Sequence, residues 1–516
     1  IATSGSQMTV NQTSQQMIAN WNTFNIGQNA GVQFVQPNAA ATALNRIADQ
    51  SPSQILGSLS ANGKVFLLNP SGIVFGPNAQ VNVGGLVAST LNMLDADFLA
   101  GKYRFQNSGT AGSIINQGTI NAAPGGVVAL IGPKVVNEGT ISAPGGSVAL
   151  ASGNQVTLDF TGDGLITLAV DEGAVDAQVA NSGLIKVDGG MAIMSARSAN
   201  ALTAAAVNNS GVIEAKSLTS VGGKIVLEGN DITLAGSSRL DASGALGGGT
   251  VLVGGDWQGS GTMHQATTVL MEPGAMIDAS ATDTGNGGKV VLWSDLRRAE
   301  GLTRVAGTIL AKGGPNGGNG GMVETSGHSL DVSSQPLSVK ASAAEGKGKS
   351  GLWLLDPYDL TVDGVLANNI GTALTQGNNV TLYTQTDGCY TNGFAGGTCV
   401  DAGLNGGKIV FSSGVRINKD GSAPGASTNH VIFTVDAYTD IELSDNVWIQ
   451  SVNNGGSLAV NLTADRKNEQ IGRRILIVNS KIQTAGGDIF IGSPVGDQIV
   501  YGSTNAGVYL SSSTLD

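Results

Sequence analysis

Asn116-Gln-Gly-Thr-Ile120 recurs 21 residues further on as Asn137-Glu-Gly-Thr-Ile141, and looser copies stand at Asn181-Ser-Gly-Leu-Ile185 and Asn209-Ser-Gly-Val-Ile213. Between the first two copies, Pro124-Gly-Gly-Val-Val-Ala-Leu130 is echoed by Pro144-Gly-Gly-Ser-Val-Ala-Leu150. A second phrase runs through Gly222-Gly-Lys-Ile-Val-Leu227, Gly248-Gly-Thr-Val-Leu-Val253, Gly287-Gly-Lys-Val-Val-Leu292 and Gly320-Gly-Met-Val-Glu324. Each unit of about 20 residues thus holds short β-branched runs separated by Gly, Asn, Ser and Asp, the pattern of short strands joined by tight turns. One unit cannot bury its own apolar face, whereas stacked units can, each strand pairing in parallel with its equivalent in the next coil. Inward Val, Ile, Leu and Ala then fill the interior. An Asn at a fixed corner meets its equivalents in a ladder of side-chain amides, and corner glycines supply positive φ. The repeats predict an all-β chain, a parallel β-helix.

Composition agrees. Glycine makes up 77 of 516 residues and only 12% are charged, yet 41% are hydrophobic, too many for a disordered tail. The formal net charge of −12 offers no basic face for phosphates, which argues against a nucleic-acid partner. Arg466-Lys467 and Arg473-Arg474 read as a solvated loop edge. No apolar run approaches the ~20 residues of a membrane span, so no transmembrane segment is expected. The chain opens at Ile1 without a signal peptide, as a mature or trimmed form would.

The first hundred residues break the period. Leu44 to Leu59, rich in Ala, Gln and Asp, and Leu91 to Phe105 read as excursions from the coil, short helices or hairpins. Met8-Thr-Val10 and Trp21-Asn-Thr-Phe-Asn-Ile26 supply strands and core for a cap, needed because the open end of a β-helix exposes unpaired edges. Ala341 to Gly351 reads as an exposed loop ahead of a later segment of similar texture, Gly407-Lys-Ile-Val-Phe411 and Gly487-Asp-Ile-Phe-Ile491.

The stretch Asn20-Trp-Asn-Thr-Phe-Asn-Ile-Gly27, then Val32-Gln-Phe-Val-Gln-Pro37, Ala43-Leu-Asn-Arg-Ile47 and Gly63-Lys-Val-Phe-Leu-Leu-Asn-Pro-Ser-Gly-Ile-Val-Phe-Gly76 resembles the secretion domain of two-partner-secretion exoproteins. Filamentous haemagglutinin and the high-molecular-weight adhesins belong to that group. Gly248 to Gly259 and Gly351-Leu-Trp-Leu-Leu-Asp-Pro-Tyr-Asp-Leu-Thr-Val362 are similar to phrases of the same large exoproteins. The resemblance implies a right-handed β-helix with an N-terminal cap and extra-helical hairpins. It also implies a secretion domain over residues 1–295, a continuing repeat region over 296–516 with its loop near 341–351, and export via the periplasm to the cell surface or medium through a POTRA-containing outer-membrane pore. Asn69, Pro70, Ser71, Gly72 and Ile73 stand where the family has Asn-Pro-Asn-Gly-Ile, with Ser71 replacing the second Asn. For these five residues a structural turn and recognition by the pore are both open, and the two are compatible.

Chemistry has few anchors. Cys389 and Cys399 enclose a nine-residue segment; a disulfide across it would pin a projecting hairpin, and this reading is preferred to two free thiols. His264, His328 and His430 lack the spacing of metal ligands, so neither a metal nor a cofactor is expected. No Gly-x-Ser-x-Gly elbow occurs, and Glu345-Gly-Lys-Gly-Lys-Ser350 lacks the first glycine of a phosphate-binding loop, position 343 being Ala. Asp356 and Asp359 are a candidate glycosidase pair, but Trp-Leu-Leu-Asp-Pro-Tyr-Asp reads better as a turn. The expectation is a binding protein and no enzyme: a secreted bacterial adhesin for attachment or aggregation, on an extracellular glycan or host protein ligand. A haem-carrier-binding exoprotein and the stalk of a contact-dependent toxin are its rivals. The still strand-like Tyr509-Leu-Ser-Ser-Ser makes a longer native chain the expectation.

Overall fold

The computed structural model describes residues 1–109, 111–160, 167–199, 206–384, 406–464 and 475–492, with the backbone of 499–501 and 509–512. The chain forms two compact units, Ile1–Leu218 with Gly222–Ala242, and Thr219–Val221 with Ser243–Asp516.

In the first unit each coil contributes one strand to each of three parallel sheets. A ladder sheet holds Ser113–Asn116, Lys134–Asn137, Gln178–Asn181, Ala206–Asn209 and Asp231–Leu234. A second sheet holds Thr119–Ala122, Thr140–Ser142, Leu184–Lys186, Val212–Glu214 and Arg239–Asp241. The third, the broad sheet, includes Lys64–Leu68, Gly85–Ser89, Val127–Ile131, Ser147–Ser152, Met191–Ala196 and Lys224–Glu228. Equal register stacks like on like, as in Ile120–Ile141–Ile185–Ile213–Leu240, every one buried. Burying one such side chain stabilises by about 1.5–3 kcal/mol, against about 1 kcal/mol net for a typical hydrogen bond. Apolar rows therefore hold the stack, and the polar ladder fixes its register.

That ladder is continuous. Asn116 Nδ2 donates to Asn137 Oδ1 at 2.8 Å, Asn137 to Asn181 at 2.7 Å, Asn181 to Asn209 at 2.7 Å, and Asn209 ends on Ser238 Oγ at 2.6 Å. All four asparagines are buried, so each amide depends on partners inside the protein: the ladder itself and backbone groups at the same corner, as where Asn137 Nδ2 also donates to Gly139 O at 3.3 Å and Asn209 Nδ2 to Gly211 O at 3.1 Å.

The Pro-Gly-Gly corners use their glycines differently from one another. Gly125 and Gly145 take φ of +73° and +63°, as expected. The following glycines do not; they answer to space. A Cβ on Gly126 would lie 2.4 Å from the carbonyl oxygen of Gly84, and one on Gly146 2.0 Å from that of Gly126. Positive φ thus explains only half of each pair.

In the broad sheet Val127–Ile131 and Ser147–Ser152 are buried at every position, on both faces. The reason is an excursion. The helix Asp95–Leu99 and strand Tyr103–Gln106 leave the coil, and Tyr103–Gln106 joins Gln155–Asp159 and Thr167–Glu172 in a small antiparallel sheet. Phe66, on the outer face of its strand, meets Phe98 edge-on at 5.6 Å and stacks with Tyr103 at 5.2 Å. The excursion expected at Leu91 to Phe105 is thus present. Leu44 to Leu59 is not one: it is ordinary coil, with strands Thr42–Ile47, Ser53–Ile55 and Ser58–Ala61. Its polar residues have coil partners instead, as where buried Asn45 accepts from Trp21 Nε1 at 2.9 Å and donates to Phe66 O at 3.2 Å.

The cap matches expectation. Ala2–Ser4 runs antiparallel to Gln7–Asn11, which pairs in parallel with Gly31–Val35. Buried Gln36 donates to Gln12 Oε1 at 2.9 Å and accepts from Gly63 N at 2.9 Å.

In the second unit the broad arrangement continues through Thr250–Val253, Lys289–Trp293, Met322–Gly327, Leu352–Pro357, Asn379–Tyr383, Val431–Asp436, Leu458–Thr463 and Ile489–Gly492. Its two companion sheets end at Ser329–Asp331 and Leu337–Lys340, and two others start with Leu360–Val362 and Arg416–Asp420. Directly after Leu360–Val362 comes the helix Gly364–Thr375, which the repeat reading did not foresee. Asp363 caps it, accepting from Leu366 N at 2.7 Å, and Leu366, Ile370 and Leu374 form its buried stripe. At 341–351, Ala341, Ala343 and Gly351 are buried, and only 345–349 form an exposed turn.

Candidate functional site

Asn69 to Ile73 leaves the broad sheet in a tight turn. Asn69 is fully buried; its Oδ1 accepts from Ser71 N at 2.9 Å, and its Nδ2 donates to Ser53 Oγ at 2.9 Å and Ser51 O at 3.2 Å. The backbone closes from Gly72 N to Asn69 O at 3.1 Å, and Ser71 Oγ donates to Asp49 O at 2.8 Å. Gly72 has φ +123°, where a side chain would be strained, and Ile73 is buried in the ladder sheet. The motif's outward face is therefore Pro70, exposed, and Ser71, half-exposed. Ser71 in place of a second Asn keeps the turn, because the turn uses Ser71 through its N–H and a single side-chain donor.

A second polar centre lies in the second unit, where the segment 254–266 folds over the outer face of the broad sheet. Trp257 and Met263 pack on Leu252, Val291, Trp293 and Leu296. Trp293 Nε1 donates to Gln265 Oε1 at 3.2 Å. Gln258, at φ +50°, donates its backbone N–H to Glu324 Oε2 at 2.8 Å, while Ser326 Oγ donates to Oε1 at 3.0 Å. Glu324 is completely buried. Burial, then the nearby Asp356, pushes its carboxyl well above the usual range, more than the two hydrogen bonds lower it. Register pairs Glu324 with Val291, so it occupies an apolar row. The sequence signal is the phrase Gly320-Gly-Met-Val-Glu324, in which a carboxylate stands where the other copies continue apolar.

Asp356 and Asp359 do not face each other across a cleft. Asp356 is buried in its strand, whereas exposed Asp359 accepts from Lys408 N at 2.8 Å. Glu345 to Ser350 lies in the exposed turn, with Lys349 N donating to Asn319 Oδ1 at 2.8 Å. Cys389, Cys399 and the basic run at 466–474 lie outside the described residues. Among the described residues no group of three His, Cys, Asp or Glu is placed to hold a metal ion, and no helix is long and apolar enough to cross a membrane.

Comparison with known proteins bears on the first unit above all. Residues 1–246 match the model of the TPS secretion domain. The chain is 36% identical over 247 residues to a heme/hemopexin-binding protein of Haemophilus influenzae strain Rd, covering 46% of this chain and 27% of that protein. A second Haemophilus influenzae heme/hemopexin-binding protein is 34% identical over 259 residues, covering 46% of this chain and 28% of its own length. The chain therefore spans little more than a quarter of the curated relatives it matches. The crystal structure of the HMW1 secretion domain from Haemophilus influenzae superposes with a TM-score of 0.53 at 30% identity, over 69% of this chain and 96% of that one.

Proposed function

Because this chain belongs to the two-partner-secretion exoproteins, which reach the cell surface or medium through the periplasm, we propose that its first unit directs export through a POTRA-containing outer-membrane pore and that the coils serve attachment outside the cell. The observation that carries the attachment reading is the outer row Asn82–Asn121–Ser142–Lys186–Glu214–Asp241, one polar residue per coil in unbroken register within the first unit. Asn121 Nδ2 donates to Asn82 Oδ1 at 3.0 Å, and Lys216 pairs with Glu214 at 3.0 Å, so the row is ordered as well as repeated. Parallel strands space such positions at about 4.8 Å. A repeating polar face suits a repeating ligand, a glycan of the matrix or of a host surface. The test is surface attachment and cell–cell clumping in the source bacterium with and without this protein. A fall in both, restored by purified protein, supports the reading; unchanged attachment removes it.

The names of the curated relatives favour a second reading, capture of a haem carrier. Stoichiometric binding of haem-loaded hemopexin by the purified chain, measured by calorimetry, would support it, and no heat of binding would leave attachment alone.

A further inference from the structure

The helix Gly364–Thr375 lies against the strand Arg416–Asp420 closely enough that a Cβ on Gly371 would sit 2.8 Å from Asn418 O. Thr375 fastens the pair, donating to Asn418 O at 3.3 Å and accepting from Asp420 N at 2.8 Å. Beside this contact is a cavity of about 200 Å³, with polar groups arriving from both elements. Gln376 lines this cavity, and its Oε1 is buried without a hydrogen-bond partner, an arrangement that costs about 1–3 kcal/mol unless the amide turns toward the cavity and a ligand or water donates to it.

The other lining groups are held in place yet only half used. Asn418 Oδ1 accepts from Gln450 Nε2 at 2.9 Å, which orients the amide and leaves Nδ2 as a donor for the cavity. Asp420 Oδ1 accepts from Ser422 N at 2.9 Å, Ser422 Oγ at 2.8 Å and Asn453 Nδ2 at 2.9 Å, so the carboxylate is fixed while Oδ2 takes no bond. Those bonds, Asn453's first, also lower its pKa and keep it ionised. The Arg416 guanidinium lies 3.9 Å from the centre of the Trp448 ring, and no carboxylate of the described residues pairs with it. Asn368 and Thr372 complete the rim from the exposed side of the helix.

From this we propose that the cavity is a binding site for a neutral hexose unit of a glycan. Asp420 Oδ2, and Gln376 Oε1 once its amide turns, supply acceptors beside the donors Arg416, Asn418 Nδ2 and Thr372 Oγ1. A ring of vicinal hydroxyls, each both donor and acceptor, answers that mixture. One positive and one negative charge cancel, and Asp420 repels a phosphate or carboxylate, so the ligand is uncharged. The volume lies below the roughly 300 Å³ at which pockets for drug-sized ligands begin, which fits one sugar ring. The site deepens the attachment reading and rests on it, since it names the ligand chemistry.

The experiment is ligand-observed saturation-transfer NMR on the full chain with galactose, glucose and mannose, and glucuronate as the acidic counterpart. Saturation should pass to at least one neutral hexose, and Gln376→Met and Thr372→Ala should each weaken it tenfold or more at unchanged circular dichroism. Thr372 is exposed on the helix, so its variant tests the site even where Gln376→Met unfolds. No transfer to any neutral hexose, stronger transfer to glucuronate, or variants that bind like the parent would each overturn the site. If the parent binds hexose and the variants do not, but bacteria lacking the protein altogether attach normally, the attachment reading falls and the sugar site stands. If attachment depends on the protein yet no hexose binds, the sugar site alone falls.

Discussion

Asn116 and Asn137 stand one coil apart and share a hydrogen bond of 2.8 Å between buried side-chain amides, the first rung of a ladder that ends on Ser238. Replacing Asn137 by Ala breaks two rungs, leaving Asn116 Nδ2 with only the long contact to Thr140 O at 3.5 Å and Asn181 Oδ1 without its donor from the ladder. At about 1–3 kcal/mol for each orphaned group, the first unit should lose roughly 3 kcal/mol, read as a lower urea midpoint. A variant with the parent midpoint would mean that water replaces the rungs.

The two glycines of Pro144-Gly-Gly should differ in cost. Gly145→Ala puts a side chain at φ +63° in open space, a penalty of about 1–2 kcal/mol. Gly146→Ala puts a methyl 2.0 Å from a carbonyl oxygen of the preceding coil. The coils must separate there, so this variant should lose more stability than the first, and comparing their thermal midpoints settles the order.

Glu324 gives the second unit a distinctive pH dependence. Its folded pKa lies well above the ordinary 4.5, so the folded state holds a proton that the unfolded state releases. Stability from this group is therefore full below about pH 4.5 and declines as pH rises toward the folded pKa. Asp356 and Asp256 face it and add to the effect. Glu324→Gln should flatten the decline and raise the midpoint at pH 8. An unchanged pH profile would place the decline elsewhere.

Turn and pore recognition separate at Asn69 to Ile73. Asn69→Ala removes bonds to Ser51, Ser53 and Ser71 and should cost about 2–3 kcal/mol along with secretion. Pro70→Glu alters only the exposed position and should leave the melting curve unchanged while lowering the secreted fraction. If Pro70→Glu is secreted like the parent, the pore does not read this face.

The repeats made the stack and the amide ladder legible, because Asn116, Asn137, Asn181 and Asn209 keep one spacing to the following Gly and Ile, and the break in the period made the cap legible. Leu44 to Leu59 misled through composition. Its alternation is coil-like, but Asn45 is polar and buried, and its partners Trp21 and Phe66 O come from neighbouring coils. The helix Gly364–Thr375 carried a signal in Asp363 followed by Leu366, Ile370 and Leu374, masked by strand-like neighbours. The sugar cavity carried none, because Gln376 and Asn418 lie 42 residues apart and meet only when the helix packs on its strand.

That helix has a mechanical consequence. Two sheets stop before it, and only two backbone ladders among the described residues pass it: the broad sheet, from Leu352–Pro357 to Asn379–Tyr383, and the short pairing of Leu360–Val362 with Ile409–Phe411. In a chain whose cohesion is a sum of nearest-neighbour couplings, the weakest link sets where a tear starts and where it is arrested. Pulled or heated, the coils beyond the helix should come away as one block, leaving the coils before it intact.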